Sequence, residues 1–347
     1  MHQKKERLLY IDVAKGLGII TVVLIHIIFS SERFNDLSYI RNYIYSFHMP
    51  LFFIISGFCL YQKYHAVQQI NDLRHTLYRL CAKFLPCYFI WSILYIFFGK
   101  VTNQPIDIME RIRAVITTKG IAPLWFIIVL FMCEFFFIIS HKYLVKKESF
   151  YNYFFILLVL FTLITGSTYK TISNILEGKS IMGISVPVII LVLFRLIACL
   201  TMLYAGYLLG KMADKIKIKK LTAFICALLF FSLMCFITFK TQNYVNLHLY
   251  QIGIPFIFIL TSFLGSLAVL LFSYSIQSHA GLLAFIGRNS LGIMVLHYIP
   301  LKIMEYSAKL AFLITTNVYG AVLLALIITI SVCIGILYII KRKLYLN

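Results

Sequence analysis

The chain has 347 residues, of which 61% are hydrophobic and 13% charged, with a mean hydropathy of +0.92. An average soluble domain is about 45–50% apolar and about 25% charged, so the composition excludes an ordinary soluble protein and indicates an integral membrane protein. The formal net charge is +20, yet a nucleic-acid surface is not the reading, because the cations lie in short loops between apolar runs.

Apolar stretches of about 20 residues recur at 8–30, 43–61, 80–98, 124–140, 150–166, 187–210, 221–239, 252–274, 282–300 and 317–340. They predict an all-α, polytopic membrane protein with about ten transmembrane helices. The longest polar loops, 99–123 and 167–186, are too short for a separate core, so residues 1–347 read as one membrane domain. With the amino terminus inside, the inner loops and ends hold eighteen Lys and Arg and the outer loops eleven. The positive-inside rule then places both termini in the cytoplasm.

The first span, Leu8 to Ser30, carries Asp12, Lys15 and His26 within its apolar run. Intramembrane ionisable side chains are costly and by default mark a functional site. Lys15 and His26 are eleven residues, or three turns, apart, so they share a face and lie about 16 Å apart along the axis. Asp12, three residues before Lys15, joins that face. The basic start Lys4, Lys5 and Arg7 resembles that of a signal peptide, but no clear small-residue cleavage site follows, so the segment is read as retained.

The second span opens with Phe47-His48-Met49-Pro50, which places His48 near the level of His26. The ninth holds Gly287, Arg288 and Asn289 at its inner end and His297 toward its outer half. Three histidines are therefore expected to converge. The plainer reading of each is a hydrogen-bonded interior histidine. Glu134 in the fourth span and Arg195 in the sixth lie at similar distances from the outer ends, so they either pair to fix helix packing or contact substrate. Trp125 suits an interfacial aromatic belt or a stacking surface for a sugar. Arg74 and Arg79, in the loop before the third span, join Lys15 and Arg288 as candidates for a phosphate-binding mouth, although topology alone also explains loop cations. The eight cysteines lie in or beside spans without a C-x-x-C pair, so neither a disulfide framework nor a metal site is expected. The chain has no Walker loop and no dinucleotide fingerprint.

The segment Ile11-Asp12-Val13-Ala14-Lys15-Gly16-Leu17-Gly18-Ile19-Ile20, ending in His26, resembles the opening of the acyltransferase-3 family of membrane O-acyltransferases. Phe47-His48-Met49-Pro50 through Ser56-Gly57-Phe58 resembles the second span of its fucose 4-O-acetylase-like branch. Gly287-Arg288-Asn289-Ser290-Leu291 through His297 and Leu124-Trp125-Phe126 are similar to later segments. Many members carry Arg, ten residues, then His in the first span. Lys15 here takes the Arg place, keeping the charge and losing the bidentate fork.

The resemblance implies a multi-pass protein of the plasma (inner) membrane that moves an acyl group, typically acetyl from cytoplasmic acetyl-CoA, to a hydroxyl of a surface glycan or its lipid-linked precursor. The implied partners are acyl-CoA, the glycan acceptor, membrane lipid and glycan-assembly proteins, with no nucleic acid and no metal. Larger relatives add an esterase-like domain, so transfer here is expected to finish within the membrane domain. His26 is the expected base or covalent acyl carrier, with His48 and His297 orienting or stabilising. Lys15, Arg288, Arg74 and Arg79 are the expected donor contacts. Asp12, Trp125, Glu134, Arg195 and Asn289 are the expected substrate contacts, with Glu134 and Arg195 shaping the acceptor pocket. The rival class is a glycan or lipid translocase or a proton-coupled transporter using the same buried ions.

Overall fold

The computed structural model describes residues 8–65, 72–101, 107–143, 149–181, 183–298 and 303–345. In chain order the helices are α1 (Leu9–Ser30), α2 (Ile40–Tyr64), α3 (Leu73–Val101), α4 (Ile108–Ile116), α5 (Leu124–Tyr143) and α6 (Ser149–Ile175). A two-residue hairpin follows, β1 (Ser180–Ile181) pairing antiparallel with β2 (Ile184–Ser185). Then come α7 (Val186–Ala213), α8 (Lys220–Thr241), α9 (Pro255–Ile276), α10 (Gly281–Arg288), α11 (Ser290–Leu296), α12 (Ile303–Ile314) and α13 (Val318–Tyr345).

Among the described residues nine helices are long and apolar enough to cross a membrane. The expected segment 282–300 is the exception. It divides at Asn289 into α10 and α11, where the weak helix formers Gly287 and Ser290 flank a residue whose side chain turns back on the backbone, Nδ2 of Asn289 donating to Phe285 O at 2.9 Å. With 8 and 7 residues, α10 and α11 are each too short to cross a membrane alone. Broken helices are tolerated at membrane depth where they line a cavity or lie within protein, and these two do both.

Two helix pairs meet backbone to backbone. A Cβ placed on Gly57 of α2 would stand 1.8 Å from Leu203 O of α7, and one on Gly206 of α7 would stand 2.0 Å from Ile54 O. Likewise a Cβ on Gly16 of α1 would stand 2.2 Å from Leu283 O of α10, and one on Gly287 would stand 1.8 Å from Asp12 O. Only residues without a side chain permit this approach, which is how helices gain packing energy in a medium as apolar as their own surfaces. The α1–α10 contact fixes Arg288 beside Lys15, and the α2–α7 contact braces the helix that carries His48.

Candidate active site

Two cavities lie along the same helices. The first, of about 160 Å³, is lined by His26, Tyr45, His48, Trp125, His248 and Tyr298 together with apolar neighbours that include Val22, Met49 and Met294. The second, of about 260 Å³, is lined by Lys15, Ser56, Cys59, Lys83, Glu134 and Arg288, with Phe52, Phe126, Ser290, Leu291 and Met294. Each of α1, α2, α5 and α11 contributes to both. Along α1 the order is Lys15 in one cavity, then Val22 and His26 in the other. We refer to them as the lysine and histidine cavities. Lys83 and Glu134 also line a third space with Lys63, Arg79 and Tyr64, which extends the basic region beyond the lysine cavity.

The expected convergence of three histidines is found. The rings of His26 and His297 are 5.2 Å apart between centroids, and Tyr298 stands edge-on to His26 at 5.1 Å. His48 shares the cavity, stacked on Tyr45 at 5.1 Å. Its place in α2 depends on Pro50, which has no N–H to give the Ser46 carbonyl. Ser262 of α9 supplies the missing donor at 2.7 Å. Nδ1 of His48 meets Ile44 O at 2.8 Å, and Nδ1 of His297 meets Ile293 O at 2.9 Å. A carbonyl can only accept, so the proton of each neutral ring resides on Nδ1 and Nε2 is left with its lone pair. Tyr95 of α3 donates to Val295 O at 2.9 Å, holding the end of α11 from which His297 projects.

A fourth histidine, His248, escaped the sequence reading. It sits in the connection between α8 and α9 and stacks on Trp125 with ring centroids 5.8 Å apart and planes 11° from parallel. Burial, with the charges of Arg195 and Lys119 adding to it, pulls its imidazole down from 6.5 to about 4. The only signal available in the sequence was its place in a loop opposite Trp125, and loop histidines carry no periodicity.

Arg195 and Glu134 do not pair. Fully buried Arg195 donates to the carbonyls of Thr118 at 2.9 Å, Lys119 at 3.1 Å and His248 at 3.0 Å, with its guanidinium 5.1 Å from the Trp125 ring centre. It clamps the segment before α5 in a demanding conformation: Thr118, Gly120 and Ala122 all have positive φ, and a Cβ on Gly120 would stand 2.4 Å from Trp125 Cα. Arg195 therefore builds the wall behind Trp125 and does not line the cavity. Glu134 belongs to the other end, accepting from Ser56 Oγ at 2.8 Å and facing Lys83 Nζ at 3.6 Å. It lines the lysine cavity and not the histidine cavity.

Three further expectations change. Asn289 accepts from Lys341 Nζ at 2.9 Å and joins neither cavity, so it ties the helix break to α13. Asp12 is buried where α1 meets α10, outside both cavities. Arg74 is exposed and is not among the residues lining the basic spaces, whereas Arg79 is. Lys83, Ser56 and Cys59 enter the lysine cavity without having been singled out.

The model of the acyltransferase domain of the acyltransferase-3 family matches residues 8–339, which spans both cavities. The chain belongs to the acyltransferase-3 family. It is accordingly a multi-pass membrane acyltransferase, and the two cavities are its candidate substrate chambers. No curated protein and no solved structure matches the chain.

Proposed function

We propose that this acyltransferase-3 protein transfers an acetyl group from cytoplasmic acetyl-CoA to a hydroxyl of a surface glycan or a lipid-linked glycan precursor in the plasma membrane. The observation that carries this reading is the stacking of a basic cavity and a histidine-lined, aromatic cavity on the same four helices. Lys15, Arg288, Lys83, Lys63 and Arg79 offer cations for the phosphates of the donor. Tyr45, Trp125 and Tyr298 line the same cavity as the imidazoles of His26 and His48, offering ring edges and hydrogen-bonding groups to a sugar.

His26 acts as the base. It takes the proton of the acceptor hydroxyl as that oxygen attacks the thioester carbon. The new C–O bond forms through a tetrahedral oxyanion, the C–S bond breaks, and the proton passes from the imidazolium to the departing thiolate of CoA. In the carrier variant the lone-pair nitrogen of His26 attacks the thioester carbon, so that a C–N bond forms as C–S breaks and CoA leaves as thiolate. The acceptor oxygen then attacks, C–O forms as C–N breaks, and the hydroxyl proton, received by the freed imidazole, goes on to the thiolate. Transfer without loss to hydrolysis requires that water be kept from the thioester, and the apolar side chains of Val22, Met49 and Met294 line the histidine cavity. His297, which holds its Nδ1 proton on Ile293 O, positions the His26 ring. Membrane lipid and glycan-assembly proteins are the remaining partners.

Isolated membranes given labelled acetyl-CoA provide the test, with the label followed into envelope glycan for the wild type and for His26→Ala at equal expression. Label dependent on wild-type protein supports the reading. Equal label in both, with the acceptor demonstrably present, favours a translocase that moves its cargo without consuming acetyl-CoA.

A further inference from the structure

Met294 of α11, 2% exposed, lines the histidine cavity and the lysine cavity alike. The residues around it change cavity at the same level. On α2, Met49 faces the histidine cavity and Phe52 the lysine cavity. On α5, Trp125 faces the first and Phe126 the second. Phe52 and Phe126 meet edge to face with centroids 5.6 Å apart, and Phe126 is held from another side by Phe53 at 5.2 Å. One flexible thioether side chain and a pair of braced aromatic rings thus stand at the boundary between the two chambers.

We propose that Met294, with Phe52 and Phe126, forms the aperture through which the acyl end of the donor reaches His26, and that this aperture restricts the acyl group to acetyl. The inference rests on the acyl transfer proposed above. Methionine is unbranched, with three rotatable bonds, so it moves aside for a two-carbon unit without any backbone change. A longer acyl chain must also displace the Phe52–Phe126 edge, in which Phe126 is packed against Phe53 as well. Discrimination of one methylene by an apolar pocket amounts to about 10–200-fold in kcat/KM, so butyryl, with two more methylenes, is disfavoured by about 100-fold or more.

The experiment compares label transferred from acetyl-CoA, butyryl-CoA and hexanoyl-CoA by membranes containing wild type, Met294→Leu, Met294→Ala and Phe52→Leu, each matched for expression and for elution as a single species in detergent. The wild type and the volume-conserving Met294→Leu favour acetyl by about 100-fold over butyryl. Met294→Ala and Phe52→Leu lower that ratio by at least about tenfold, through faster butyryl and hexanoyl transfer. An unchanged ratio in both variants, with acetyl transfer persisting, overturns the aperture and leaves the proposed reaction standing. A wild type that uses hexanoyl-CoA as readily as acetyl-CoA overturns it as well. Should Met294→Ala fail to accumulate, Phe52→Leu alone decides. If the wild type transfers none of the three groups, the proposed reaction itself fails.

Discussion

His48 and His297, on different helices, hold the same posture: each Nδ1 rests on the carbonyl four residues earlier, at 2.8 Å for Ile44 and 2.9 Å for Ile293. Both rings are thereby committed to one tautomer and both are fixed by their own helices. His26 stands between the fixed His297 ring, 5.2 Å away, and the cavity, and it is more exposed than either of the others. The more exposed, cavity-lining member of such a group is the one suited to exchange a proton with substrate. His26→Ala is therefore expected to lower transfer by about 10²–10⁴ with unchanged membrane insertion. A fully active variant would remove His26 from the chemistry.

His297 is expected to matter through geometry. Its Nε2 is buried without a hydrogen-bond partner among the described residues, and its ring packs directly against His26. Replacing it with Leu removes the wall against which His26 is set, and a misplacement of about 1 Å can cost about 10² in rate. The loss should fall on kcat with KM for donor and acceptor nearly unchanged. A rise in donor KM at constant kcat would show instead that His297 serves binding.

At the other end the expected pattern is reversed. Lys15 and Arg288 are brought together by the close α1–α10 contact at Gly16 and Gly287. Hydrogen bonds to charged groups contribute about 1.5–3 kcal/mol, so Lys15→Ala and Arg288→Ala should each raise KM for acetyl-CoA by about tenfold or more, with kcat little altered. Steady-state kinetics in isolated membranes would show this. An unchanged donor KM in both variants would place CoA elsewhere.

Much of this arrangement was legible in the sequence because hydropathy, helical period and the intramembrane rule of ionisable residues act locally. The Lys15–His26 stripe needed only the pitch of α1. What misled was depth. Glu134 and Arg195 stand at similar counts from the outer ends of α5 and α7, but those ends are not level. The segment before α5 folds inward, with Gly120 and Ile121 buried, and α5 starts only at Leu124, whereas α7 starts directly after the β-hairpin. Arg195 consequently reaches loop carbonyls while Glu134 lies against Lys83. The division of the 282–300 segment was hidden because hydropathy reports composition and not helical continuity. His248 was hidden because its loop is ordered by tertiary contacts, with Asn243 accepting from Ile254 N at 2.6 Å across the turn, and by the Trp125 stack.

Arg195 offers a test of that clamp. Arg195→Met preserves bulk and removes the donor to three carbonyls, those of Thr118, Lys119 and His248. Stranding a buried acceptor costs about 1–3 kcal/mol, so a loss of about 3 kcal/mol is expected, read as a lower midpoint of thermal unfolding in detergent. Transfer should fall with it, since Trp125 loses its backing. Wild-type stability and activity together would mean that the positive-φ segment holds itself.

The last expectation concerns pH. His248 ordinarily titrates near 6.5, and in the fold it is pulled down to about 4 by burial, with Arg195 and Lys119 adding to the effect. Between these values the unfolded chain binds the proton that the folded protein refuses, so stability rises with pH across that interval. The contribution is complete above about 6.5 and is eroded as the pH falls toward 4, by about 1–3 kcal/mol in all. His248→Gln keeps a polar side chain without a titrating one. Unfolding midpoints measured from pH 7.5 down to 4.5 should therefore fall more steeply for the wild type than for His248→Gln. Parallel slopes would show that His248 is protonated as easily in the fold as outside it, and that its stack on Trp125 opens to solvent.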